Sequence, residues 1–114
     1  MKIENDLSSL HCKPFQRGAS AMNREDAATC LTHITDWNLI EGGKAISRRF
    51  EFKGFYETMA FINAMAWISS TQDHHPDFSA GYKHCLVNYT SHAIGGLSEN
   101  DFICAAKLNN LLSI

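Results

Sequence analysis

Apolar positions along this chain change rhythm several times, and each change marks an element. From residue 24 to about 34, Ala27, Cys30, Leu31 and Ile34 recur three and four apart, the stripe of an amphipathic helix. Asn23 just before it, with Asp26 three residues on, forms a capping-box pattern that can satisfy the first free backbone amides. Trp37 to Ile40 reads as a short strand. Glu41-Gly42-Gly43-Lys44 is a hairpin signal, because glycine tolerates the positive φ such turns require. The return strand, Ala45 to Phe52, alternates. Ile46, Phe50 and Phe52 lie on one face, and Ser47, Arg49 and Glu51 on the other, with Arg48 interrupting the apolar side near its edge.

Residues 55 to 70 carry a longer helical pattern. Phe55, Met59, Ile62 and Ala66 make one stripe; Phe61, Met65 and Ile68 make a neighbouring one. An arc this wide predicts burial on two sides, in a core plus a loop or a core plus a subunit interface, and plain core is the preferred reading. The helix should end before Gln72-Asp73-His74-His75-Pro76-Asp77, since proline disfavours the α conformation at His75. Another strand or extended piece fits between Phe78 and Tyr82. A strand from about Tyr82 to His92 then places Cys85, Val87 and Tyr89 inward and Leu86, Asn88, Thr90 and His92 on the opposite face. After Gly95-Gly96, a second capping box at Ser98 to Asp101 opens a last helix through Leu112. Residues 1–21 are polar and irregular, an expected arm of loose order ahead of a single domain over 22–114. This order predicts an α+β, two-layer fold: an antiparallel β-sheet with helices packed on one face. The other face must be solvated or paired with a second subunit.

Composition narrows the function classes. Hydrophobic residues make up 45% of the 114, enough to bury a core. A domain so small is marginally stable alone, which makes self-association plausible. Net charge is −2 and the ten Lys and Arg are scattered, so direct nucleic-acid binding is not expected. No apolar run approaches the ~20 residues of a membrane helix. The opening MKIENDLSSLHCKPF lacks the apolar core of a secretory signal, which points to the cytoplasm. The four cysteines form no Cys-x-x-Cys clip and read as small buried apolar residues.

Three of the six histidines sit at the ends of rigid elements, where small-molecule sites are commonly built. His74 and His75 end the long helix, and His92 ends a strand before the Gly-Gly loop. Imidazole can give and take a proton near neutral pH, and Asp73 and Asp77 stand close in sequence to orient or charge the rings. The bland alternative is a solvated turn and an incidental strand end. A metal site is disfavoured, since adjacent histidines at a turn diverge and no His-x-His or His-x-x-x-His spacing occurs. Spacing alone leaves these readings open.

The joint pattern is more specific. Asp73-His74-His75-Pro76-Asp77, then Tyr82, then Thr90-Ser91-His92, then Gly96-Leu97-Ser98-Glu99-Asn100-Asp101, resembles the pterin-4a-carbinolamine dehydratase family. Asp36-Trp37-Asn38, the Gly-Gly hairpin and Phe50-x-Phe52-x-x-Phe55 fit as well, so the match spans about residues 23 to 112. The resemblance implies a hydro-lyase that converts a 4a-hydroxytetrahydropterin to a quinonoid dihydropterin in pterin recycling, with no metal and no redox cofactor. It implies His74, His75 and His92 as acid–base residues, with His74 and His92 moving protons and His75 orienting substrate. Asp73 and Thr90, Ser91 and Ala93 would line the two walls of the pterin site. Asp101 is read as a capping-box acid without a catalytic role. Many members carry a Glu four residues before the first His; here Ser70 stands there. The resemblance also implies a homodimer or homotetramer. The alternative reading is a non-catalytic dimerisation, assembly or transcription-coactivator protein of the same fold.

Overall fold

The computed structural model describes residues 6–113. Its core is a four-stranded antiparallel sheet built from β1 (Asn38–Ile40), β2 (Ala45–Glu51), β3 (Asp77–Ala80) and β4 (His84–Tyr89), in the order β1-β2-β4-β3. The β1–β2 turn is a hairpin as expected. Gly42 (φ 68°) and Gly43 (φ 91°) both hold positive φ, the conformation a side chain resists. In the centre, Ile46 pairs with Tyr89, Arg48 with Val87 and Phe50 with Cys85. This register puts Ile46, Phe50, Cys85, Val87 and Tyr89 on one face, and all five are buried.

Three helices supply the other layer: α1 (Arg24–Leu31), α2 (Phe55–Gln72) and α3 (Glu99–Asn110). They share a single core with the inward sheet face, through Ala27 and Cys30 of α1, Phe61 and Met65 of α2, and Phe102, Ile103 and Leu108 of α3. The fold is therefore α+β, with the helices on one face of the sheet. The capping box at Ser98 is complete, and the one expected at Asn23 is present by half. The Asn23 side chain accepts from the Asp26 amide, and Ser98 and Asp101 form a full capping box. No helix among the described residues is long and apolar enough to cross a membrane.

The structure departs from expectation in three places. The stretch from residue 6 to 21 is irregular apart from one 3-10 turn, Leu7–Ser9, but it is not loose. Leu7 is buried in the core, and the Lys13 backbone exchanges hydrogen bonds with the Asn100 side chain on α3 (3.1 and 2.8 Å). A leucine with a closed apolar site to enter outweighs the polar composition around it. Second, the stripe of Phe55, Met59, Ile62 and Ala66 is not plain core. Phe55 and Ala66 are exposed, Met59 and Ile62 half-buried, and α2 buries only Thr58, Phe61 and Met65. One sheet face can cover only one side of a helix. Third, the extra strand starts one residue earlier than expected, at Asp77, and lies at the sheet edge with all four residues exposed.

Arg48 shows how a charge is tolerated on the inward face. Its guanidinium donates to Asn109 Oδ1 (2.6 Å), reaches Asp36 (3.5 Å) and lies 4.4 Å from the centre of the Phe50 ring. Asn109 also accepts from Trp37 Nε1 (2.8 Å), so one amide on α3 ties β2 to the β1 entry.

Candidate active site

The site grows from three chain ends that meet beside α3. Helix α2 stops where Asp73 adopts a left-handed conformation (φ 52°), which turns the chain and sends the His74 side chain back towards α3. Strand β4 ends at Tyr89, and Ser91 forms a bridge with Gly96 around a 3-10 turn, His92–Ile94. Gly95 (φ 71°) closes that turn and fixes His92 at its start. The capping box places Asp101 in the first turn of α3, between these two segments.

Asp101 is fully buried and both of its carboxylate oxygens are engaged. Its Oδ1 lies 2.6 Å from His74 Nε2, and its Oδ2 accepts from the Ser91 hydroxyl (2.8 Å) and the Ser98 amide (2.9 Å). The Ser91 and Ser98 hydroxyls are themselves 2.7 Å apart. Each of these contacts stands in for a water that burial removes. Since a carboxylate only accepts, Nε2 of His74 carries a proton, and Nδ1 is left to take or give one. The His74 ring stacks on Tyr89, centroids 5.8 Å apart and planes within 10°. Burial keeps the Tyr89 phenol un-ionised, so it acts as a flat apolar wall.

Two opposing effects set the protonation of His74. Burial is the largest single influence and disfavours the imidazolium. The hydrogen bond and charge of Asp101, helped by Cys12 and Asp73, together outweigh it, and the His74 pKa lies above the ordinary 6.5. The ring is thus held charged over a wider pH range than a free histidine, with its side chain only 12% exposed.

The other residues expected at the site are placed as follows. His75 is exposed and lines an apolar cavity of about 320 Å³ with Ile62, Met65, Ser69, Pro76 and Phe78. His74 and Asp73 line a separate cleft of about 340 Å³ on the side of the arm. His92 is exposed, and its Nε2 lies 3.7 Å from Asp77, the first residue of β3. Ala93 is exposed in the same turn. The Thr90 hydroxyl donates to the Lys44 carbonyl (2.6 Å), which holds β4 to the hairpin. Ser91 is brought to His74 through Asp101, whereas His75 and His92 are exposed and, among the described residues, make no hydrogen bond with this buried knot. Ser70 is exposed on α2, one turn before His74.

Sequence reasoning missed Asp101 as a partner of His74. The capping box it was assigned to is present, but one oxygen is spare after capping, and only the tertiary contact shows what that oxygen does.

Comparison with known proteins decides the family. The family model described as "Pterin 4 alpha carbinolamine dehydratase" matches residues 20–111. The chain belongs to that family. A protein of Nitrosomonas eutropha is 52% identical over 108 residues, covering 94% of both chains. One of Nitrosospira multiformis is 49% identical over 110 residues, covering 96% of both. Each carries the name "Putative pterin-4-alpha-carbinolamine dehydratase". Among solved structures, a transcriptional coactivator/pterin dehydratase from Brucella melitensis superposes with a TM-score of 0.77 at 27% identity, over 81% of this chain and 98% of that one. A pterin dehydratase-like protein described as a RuBisCO assembly factor in the alpha-carboxysome shares the fold, with a TM-score of 0.59 at 22% identity over 67% of this chain and 88% of that one.

Proposed function

We propose that this member of the family is a working dehydratase, which removes water from a 4a-hydroxytetrahydropterin to leave a quinonoid dihydropterin. The observation that carries the reading is the His74–Asp101 contact of 2.6 Å inside a buried hydrogen-bond network with Ser91 and Ser98. A protein that used this end of the fold only for packing would have no need to hold an imidazole charged there.

The reaction needs an acid for the departing hydroxyl and a base for the proton on the ring nitrogen. His74, whose pKa is raised, is suited to start protonated and donate from Nδ1. His92, exposed and beside Asp77, is suited to accept. His75 stands at the apolar cavity, where a flat heterocycle can be oriented against Pro76 and Phe78. Asp73 and the backbone of Thr90, Ser91 and Ala93 would meet the polar edge of the pterin. Asp101 is a positioning residue: it fixes the tautomer and charge of His74 and touches no substrate. The chemistry calls for no metal and no redox cofactor.

The chain is proposed to work as a homodimer or homotetramer. On α2, Phe55 is 53%, Tyr56 87% and Trp67 71% exposed, aromatic surface a lone chain leaves in water. The same surface would serve the second reading, a non-catalytic assembly or coactivator role. His74→Ala and His92→Ala separate the two. Each variant should lose most of a ~10²–10⁴-fold acceleration of dehydration while keeping its circular dichroism. Full activity in both would sink the histidine assignment.

A further inference from the structure

Two thiols, distant in sequence, meet next to His74 and have no part in the dehydration. Cys12, on the irregular arm, has its Sγ 3.5 Å from the Sγ of Cys104 in the middle of α3. Cys104 is fully buried, and its Sγ lies 4.0 Å from the His74 carbonyl. Cys12 is only half-buried and lines the cleft of about 340 Å³ that Asp73 and His74 also line, so small reagents can reach it from solvent. We propose that Cys12 and Cys104 are a peroxide-reactive dithiol that closes reversibly to a disulfide on the wall of this cleft.

The two sulfurs are not equivalent. The thiol contact with Cys104 is the largest influence on Cys12 and lowers its pKa. Burial opposes this, and the charges of His74 and Lys107 assist it. The same contact, together with burial, pushes Cys104 up. Cys12 is therefore the attacking thiolate and Cys104 the resolving thiol. The remaining cysteines lack such a pairing. Cys30 and Cys85 are buried, and burial raises both, Cys30 to about 11.

The steps balance. The Cys12 thiolate attacks one peroxide oxygen; the O–O bond breaks, hydroxide leaves, and Cys12 becomes a sulfenic acid. Cys104 then gives up its proton and attacks the Cys12 sulfur, the S–O bond breaks, and water leaves with that proton. Overall two thiols are oxidised to one disulfide, and one hydrogen peroxide is reduced to two waters. Closure requires the sulfurs to approach by about 1.5 Å, since an S–S bond is about 2.05 Å. Cys104 is held in α3, so the movement falls on the arm. The Cys12 amide donates to Gln72 Oε1 (2.8 Å), the last residue of α2 before Asp73 and His74. Closing the bond therefore pulls on the helix end that carries His74.

The test uses the full chain, reduced, desalted and exposed to hydrogen peroxide. Intact mass should fall by two hydrogens. Cleavage with trypsin and a glutamyl endopeptidase cuts after Lys83, Glu99 and Lys107 and so separates Cys85 from Cys104. The Cys12 peptide should emerge attached to the Asn100–Lys107 peptide and be released by dithiothreitol. In Cys104→Ser, which lacks the resolving thiol, the same treatment should leave a sulfenic acid on Cys12 that dimedone traps. Linkage of Cys30 or Cys85 instead, Cys12 carrying two added oxygens without a link, or a chain inert to peroxide would each overturn the proposal. So would a Cys104→Ser variant with no dimedone adduct on Cys12.

Discussion

Replacing Asp101 with Asn tests the electrostatics of the site with almost no change of shape. Asp101 Oδ2 accepts from the Ser91 hydroxyl and the Ser98 amide, and an Asn carbonyl oxygen can keep both. The new amide nitrogen then faces His74 Nε2, where an oxygen stood 2.6 Å away. That nitrogen donates, so it suits a neutral His74 that accepts at Nε2 and opposes a protonated one. While His74 is charged the substitution removes a charge-assisted hydrogen bond worth about 1.5–3 kcal/mol; while His74 is neutral it exchanges one hydrogen bond for another of lesser worth. In the wild type the folded-state pKa of His74 is raised above 6.5, so the stability it contributes is complete below 6.5 and is lost as pH rises through the folded value. In Asp101→Asn the two largest raising influences are gone and burial, the largest influence of all, is opposed only by Cys12 and Asp73, so the His74 pKa falls and the variant loses stability relative to wild type as pH falls. Urea unfolding at pH 5.5 and pH 9 should show the variant weaker by about 1.5–3 kcal/mol at the lower pH and closer to wild type at the higher. A stability gap of the same size at both pH values would refute the charged His74–Asp101 pair. So would a gap confined to pH 9.

Other outcomes follow from contacts away from the histidines. Asn109→Ala leaves Trp37 Nε1 without its acceptor and takes the closest acceptor from Arg48, and should cost about 2–3 kcal/mol in urea unfolding. A loss under half a kcal/mol would show that water replaces the amide. Trp67→Glu puts a charge into the exposed aromatic surface of α2. It should lower the mass seen by sedimentation equilibrium from an oligomer towards a single chain without loss of helicity. An unchanged mass would exclude Trp67 from any subunit contact.

Much of the fold is legible because local rules and global packing agree. The alternation in β2 and β4, the Gly42-Gly43 turn and both N-caps all point the same way, and the register that buries Phe50 opposite Cys85 follows from them. What the sequence hides are features decided by distant partners. Leu7 sits in a polar stretch yet enters the core, because the rest of the fold leaves an apolar site for it. Phe55 belongs to an apolar stripe yet is half-exposed, because periodicity marks a sticky face without saying what covers it. The candidate site divides the same way. Its histidines are legible in the sequence because they sit in a joint motif, from Asp73 to Asp101, that resembles the family's. The link between His74 and Asp101 spans 27 residues, and that between Cys12 and Cys104 spans 92, so no local spacing announces either. His75 and His92 are both exposed, whereas His74 is tied into the buried network.

The central claim is that the chain speeds a dehydration. The measurement that meets it most directly is stopped-flow absorbance of a freshly generated 4a-hydroxytetrahydropterin, with and without the purified protein. The account expects the loss of substrate to accelerate in proportion to protein concentration, above the spontaneous rate. A decay that matches the buffer blank at every protein concentration would contradict it.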